Sequence, residues 1–159
     1  MVSILNPLIA KDNPLTIEHS ARTAVAAVVS LFVASWFGLS ESYWAAITTL
    51  MVMQSTLGAA LPVSAQRLAG TALGASVGAL AGTYYPGNAF VFGGCVLILG
   101  IVFVPFRLER NAYRYAGITL AIIMLVPSHS GWIIALHRFF EVSVGIAVGL
   151  ATSAVWPER

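Results

Sequence analysis

The stretch Arg67-Leu68-Ala69-Gly70-Thr71-Ala72-Leu73-Gly74-Ala75-Ser76-Val77-Gly78 decides how this chain is read, because its arginine and glycines return at one fixed distance. Arg67, Gly74 and Gly78 recur as Arg138, Gly145 and Gly149, each 71 positions further on. The same offset lays Ala45-Ala46-Ile47-Thr48 over Ala116-Gly117-Ile118-Thr119, Phe32-Val33 over Phe103-Val104, and Met53 over Met124. One constant offset across three separate apolar segments marks a duplicated unit. Each copy holds three apolar segments, an odd number, so the second copy must enter a bilayer from the face opposite to the first. That is an inverted repeat, an arrangement common in transporters. The two repeats are expected at about 18–86 and 88–157.

Composition sets the solvent. Of the 159 residues, 58% are hydrophobic and 9% charged, and the mean hydropathy is +0.87. A soluble domain carries about a quarter charged residues, so the chain reads as an all-α membrane protein. The net charge of +2 rests on eight Lys and Arg that form no basic face, which argues against nucleic acid as a partner. The single cysteine, Cys95, lies in an apolar run and has no disulfide partner or companion zinc ligand.

A span needs roughly 20 mostly apolar residues, and the charge-free stretches allow six: 23–39, 43–61, 68–85, 88–106, 115–126 with some extension, and 139–156. Turn chemistry separates them at Ser40-Glu41-Ser42, Pro62, Pro86-Gly87-Asn88, the charged stretch 107–114, and 127–131. Residues 1–22, with Pro7 and Pro14, read as an interfacial N-terminal arm ahead of a six-helix membrane domain over 23–159. No cleavable targeting segment is evident, because Lys11, Asp12, Glu18 and Arg22 precede the first apolar run. With both termini cytoplasmic, every Lys and Arg except Arg138 falls on the inner side, as the positive-inside rule requires. Trp36, Tyr43, Trp44, Tyr84, Tyr85 and Trp132 at the outer edge, and Tyr113, Tyr115 and Trp156 at the inner, read mostly as interfacial anchors.

Within this frame the third span presents Gly70, Gly74, Gly78 and Gly82 on one stripe, and the sixth presents Gly145, Gly149 and Ser153. Small residues every four positions let helix backbones approach closely in lipid, which makes these two helices the packed centre. Arg67 and Arg138 open the two helices at equivalent places, one toward each mouth of a pathway. An arginine toward a helix centre costs about 2.5–3.5 kcal/mol on insertion scales, so a retained one has a partner or a function. Two readings of Arg138 stand side by side: an ion pair with Glu141, three residues on, in which both snorkel to the interface, or attraction of an anion with Glu141 as a proton-linked partner. A guanidinium fork matches a carboxylate in two parallel hydrogen bonds. Between the arginines lie Thr48, Thr49, Ser55 and Thr56, and Thr119 in the fifth span. The threonine hydroxyls can be satisfied within their own helices. Gln54, in mid-span, cannot satisfy its amide that way and is a pathway candidate. His137 and His129, at the outer end, could titrate with external pH.

No catalytic motif is present: no His-Glu-x-x-His, no Gly-x-Ser-x-Gly and no Gly-rich loop ending in Lys-Ser or Lys-Thr. The sequence therefore gives no ground for an enzyme, a metal site or a cofactor, and an ATP-driven pump within this chain is excluded. Tyr43-Trp44-Ala45-Ala46-Ile47-Thr48-Thr49, Val52-Met53-Gln54-Ser55-Thr56-Leu57-Gly58 and Arg67-Leu68-Ala69-Gly70-Thr71-Ala72-Leu73-Gly74, with the Arg138–Gly149 segment and Trp156-Pro157, closely resemble the membrane domain of the fusaric acid resistance and aromatic acid exporter families. The resemblance implies efflux of aromatic carboxylates or other organic anions across a bacterial inner membrane; plant anion channels of the malate type are distant relatives. Larger members carry a cytoplasmic domain and often a second membrane half. One copy of this chain is then expected to be half of a working unit, completed in a homo-oligomer. A passive anion channel of the same architecture, and a non-transporting assembly protein, are the alternatives.

Overall fold

The computed structural model describes residues 16–54, 56–105, 109–126 and 131–157. Among the described residues the chain is all-α, with six helices and no strand: α1 (Ile17–Trp36), α2 (Tyr43–Val52), α3 (Leu57–Tyr84), α4 (Ala89–Phe103), α5 (Arg110–Leu125) and α6 (Gly131–Val155). Side-chain caps set three of the starts. The Thr16 hydroxyl accepts the His19 N–H at 3.0 Å, the Thr56 hydroxyl accepts the Ala59 N–H at 3.2 Å, and Asn88 Oδ1 accepts the N–H groups of Phe90 and Val91 at 3.0 and 3.1 Å.

The helix boundaries depart from the expected spans, for α1 and α3 at a side-chain cap. α1 starts at Ile17, so residues 17–22 of the expected arm form its first turns; residues 1–15 lie outside the described residues. The expected second span, 43–61, is broken. α2 ends at Val52, Thr56 caps a new helix, and residues 57–61 join α3. Pro62 consequently sits inside α3, near enough to its start that the missing N–H deprives only the Gly58 carbonyl. α5 begins at Arg110, within the stretch read as a charged loop, and α6 begins at Gly131 rather than at residue 139. Arg67 and Arg138 therefore do not open their helices. Both lie inside them, since a charged residue interrupts hydropathy but not backbone hydrogen bonding.

α1 and α6 are long and apolar enough to cross a bilayer by length and composition. α2, at ten residues, rises only about 15 Å, half a hydrocarbon thickness. Residues Val25, Val28 and Phe32 of α1 and Leu97, Ile98 and Ile101 of α4 face outward.

The glycine stripes join each long helix to a neighbour that runs parallel to it. On α3, a Cβ added at Gly70 would collide with the Ala112 carbonyl and one at Gly74 with the backbone of Ala116, while Gly78 faces Ile123 at 3.2 Å. On α6, a Cβ at Gly145 would collide with the Ala45 carbonyl, and Gly149 faces Val52 at 3.3 Å. Gly74 on Ala116 and Gly145 on Ala45 are contacts between residues related by the 71-residue offset, as are Gly78 on Ile123 and Gly149 on Val52. α3 and α6 also touch each other, α1 packs on α2 and α6, and α4 packs on α5 and α3. Cys95 is a core residue with Leu99, Phe103, Ala112, Ala116, Leu120 and Met124.

Candidate functional site

Arg138 and Arg67 both sit in the interior, each 2% exposed, and Arg67 lies within electrostatic range of Arg138. α6 delivers Arg138 to the turn between α1 and α2. There its Nη2 donates to Glu41 Oε2, and its guanidinium lies 4.3 Å over the Trp44 ring. Glu141, one turn along α6, brings Oε2 to 3.3 Å from Arg138 Nη1 without hydrogen-bond alignment, so this contact is a charge pair. Glu141 is 1% exposed, and its other oxygen accepts the backbone N–H of Glu41 at 3.0 Å. A cavity of about 30 Å³ is lined by Ser40, Glu41, Ile134, His137, Arg138 and Glu141. His137 Nδ1 lies 3.0 Å from the Ser40 hydroxyl at its edge.

Arg67 occupies the corresponding position on α3, over the Tyr115 ring at 4.7 Å. Trp44 and Tyr115 are themselves 71 positions apart, so the two guanidinium–ring contacts exchange under the same offset as the glycine contacts. The carboxylates do not. Where Arg138 has Glu41 and Glu141, the positions matching them around Arg67 are Ala112 and Gly70. Arg67 Nη2 donates only a long 3.5 Å hydrogen bond to the Thr48 hydroxyl, and Nε and Nη1 have no partner. Trp44 Nε1, Arg138 Nε and the Thr71 hydroxyl, one turn along α3 from Arg67, are also buried without partners. Each such group costs about 1–3 kcal/mol. Around the two arginines the unpartnered donors outnumber the one unpartnered carboxylate oxygen, Glu141 Oε2, a chemistry suited to an anion or to water.

The other expected site residues divide. Thr48 meets Arg67, and Glu141 meets Arg138, although both members of the latter pair are buried within the fold rather than extended to an interface. Thr119 is buried on α5, one turn beyond Tyr115, in the position that Thr48 holds relative to Trp44. Gln54 is not in mid-span: it lies in the break after α2, where its backbone carbonyl accepts Arg22 Nη2 at 2.6 Å. Ser55, Arg107 and His129 lie outside the described residues. Trp44 and Tyr115, read as anchors, instead lie beneath the two arginines.

Four residues join the site beyond those the sequence reading named. Glu41 was read only as part of a turn. The pairing of Trp44 with Tyr115 was available from the 71-residue offset. Arg22, assigned to the inner edge, is fully buried and joins two helix ends, donating to the Gln54 carbonyl and, at 2.8 Å, to the Trp156 carbonyl. A cation among the last carbonyls of two helices is favoured by their dipoles.

Comparison with known proteins bears on this arrangement. Inner membrane protein YeeA of Escherichia coli (strain K12) is 28% identical over 163 residues, covering 90% of this chain and 42% of the relative. The uncharacterized transporter YdhK of the same organism is 27% identical over 142 residues, covering 83% of this chain and 21% of the relative. The uncharacterized transporter GOX0755 of Gluconobacter oxydans (strain 621H) is 25% identical over 173 residues, covering 98% of this chain and 23% of the relative. The chain thus spans about a fifth to two-fifths of the length of these relatives. No solved structure matches it significantly. The profile of the fusaric acid resistance protein-like family matches residues 12–152, and the chain belongs to that family.

Proposed function

We propose that the chain forms the membrane-spanning part of a transporter that exports organic anions, aromatic carboxylates in particular, across a bacterial inner membrane. The observation that carries this reading is the pair of buried guanidiniums, Arg67 and Arg138, with N–H groups that meet no acceptor. A protein with no anionic ligand gains nothing from burying Arg67 without a carboxylate. The names of the relatives, an inner membrane protein and transporters, support the general role.

The six helices act in this proposal as two inverted three-helix repeats, both termini cytoplasmic, with substrate passing among α2, α3, α5 and α6. The reciprocal contacts of Gly74 with Ala116 and Gly145 with Ala45, and of Arg67 with Tyr115 and Arg138 with Trp44, support the repeat. Assembly as a homo-oligomer belongs to the same reading.

The test is uptake of labelled benzoate into inverted vesicles bearing the full chain, with and without a proton gradient. Gradient-dependent uptake that Arg67→Gln abolishes supports an exporter. Uptake indifferent to the gradient supports a passive anion channel, and none from folded protein supports an assembly role.

A further inference from the structure

Resting on the anion-transport reading, we propose that Glu41 is a tethered carboxylate that the substrate carboxylate replaces on Arg138, and that it takes up one proton when it is replaced. The inference starts from charge. Two guanidiniums, Arg67 and Arg138, and the Glu141 carboxylate are buried, and the partly exposed Glu41 carboxylate makes the group of four formally neutral. A monocarboxylate that entered alone would leave it with a net negative charge in a medium of low polarisability, where such an excess is costly. A proton bound to one of the cluster's own carboxylates restores neutrality.

Geometry selects Glu41 over Glu141. The Glu41 side chain is 38% exposed, comes from the turn between α1 and α2, and borders the small cavity beside Ser40 and His137. Its Oε2 bonds Arg138 Nη2 while Arg138 Nε has no partner, so a carboxylate that grips Nε and Nη2 in two parallel bonds takes the place of Glu41. Glu141 is 1% exposed and is held by the backbone N–H of Glu41, a bond that survives departure of the Glu41 side chain. Arg138 therefore keeps Glu141 and exchanges Glu41. The other titratable or charged groups at this cavity are His137 and Glu141 on α6, the Trp44 ring on α2 lies under Arg138, and Arg67 on α3 is within electrostatic range of Arg138. Among these His137 is the competing proton acceptor.

The step balances. Glu41 gains a proton from the aqueous phase, its bond to Arg138 breaks, and the substrate carboxylate accepts from Arg138 beside the unpaired N–H groups of Arg67. One proton and one anion enter together. Because proton and anion favour each other, the linkage is reciprocal: affinity rises about tenfold per pH unit of acidification over the range in which Glu41 is ionised in the free protein and protonated in the complex.

The experiment is calorimetric titration of the full chain in lipid nanodiscs with benzoate, in two buffers of different ionisation heat, between about pH 5.5 and 8. The wild type is expected to take up one proton per benzoate. Glu41→Gln is expected to bind without proton uptake, with affinity independent of pH and tighter than wild type at the alkaline end, while His137→Gln keeps the wild-type linkage. Benzoate binding with no proton uptake by the wild type overturns the proposal whether or not any variant folds. So does a Glu41→Gln protein that still takes up a proton, or loss of uptake in His137→Gln. These results leave the transport reading standing; absence of benzoate binding at every pH removes both.

Discussion

The glycine contacts yield a prediction with a calculable size. At Gly145 an added methyl would lie 2.7 Å from Thr48 Cβ and 3.1 Å from Thr48 Cγ2, besides colliding with the Ala45 carbonyl. At Gly74 it would lie 2.8 Å from the Ala116 Cα and 2.9 Å from its carbonyl carbon. Carbon atoms are at optimal separation near 3.5–4.0 Å, so α2 or α5 must retreat by about 1 Å, and backbone atoms cannot rotate out of the way. Overpacking of this kind costs about 1–3 kcal/mol. Replacing a helical glycine by alanine also contributes about 1 kcal/mol in favour of the helix. Gly94 and Gly117 have nothing within 4 Å of an added Cβ, so alanine there gains the propensity term alone. The difference between the two classes isolates the clash. In thermal unfolding in detergent, Gly74→Ala and Gly145→Ala should fall below Gly94→Ala and Gly117→Ala by about 1–3 kcal/mol, a midpoint difference of up to about 10 °C. The two clashing variants should also resemble each other, because their contacts are related by the same 71-residue offset. A Gly145→Ala protein as stable as Gly117→Ala would refute the helix pairing on which the site rests.

Three further outcomes follow from the buried polar groups. Arg22→Gln removes a cation that bonds two helix-end carbonyls, and should lower unfolding stability by about 2–5 kcal/mol, given about 1.5–3 for each hydrogen bond to a charged group. Glu141→Gln leaves Arg138 buried with Glu41 as its remaining carboxylate. The loss should approach the 3–5 kcal/mol typical of a broken buried pair, and a double-mutant cycle with Arg138→Gln should recover part of it. Tyr115→Leu and Trp44→Leu each remove the ring beneath a guanidinium, with an expected cost of about 1–2 kcal/mol in unfolding titrations; no loss at either position would remove that contact from the account.

The long-range plan of the molecule was legible because it depends on small residues at fixed spacing. Gly74, Gly78, Gly145 and Gly149 carry their reason in having no side chain, and the offset that relates them also relates the contacts they make. Helix ends were less legible. Thr56 breaks the second apolar stretch by capping α3, and an apolar run conceals such a cap. Conversely, Arg138 was treated as a boundary, although a helix continues past a charge that finds a partner inside. The site was half legible. Arg67, Arg138, Thr48 and Glu141 were named from their types and positions. Glu41 was not, because its partner lies 97 residues away and no periodicity links a turn to a distant helix. Arg22 escaped for the same reason: it bonds backbone carbonyls at two helix ends, a role that leaves no residue-type signature at its partners.

The most direct test of the central claim is saturable benzoate flux into proteoliposomes containing the full chain, driven by an imposed benzoate gradient, compared between wild type and Arg67→Gln of equal folded content. The account predicts saturable uptake by the wild type and a loss of at least about tenfold in the variant, the factor expected when about 1.4 kcal/mol of anion stabilisation is removed. A folded Arg67→Gln protein that carries benzoate at the wild-type rate would contradict it.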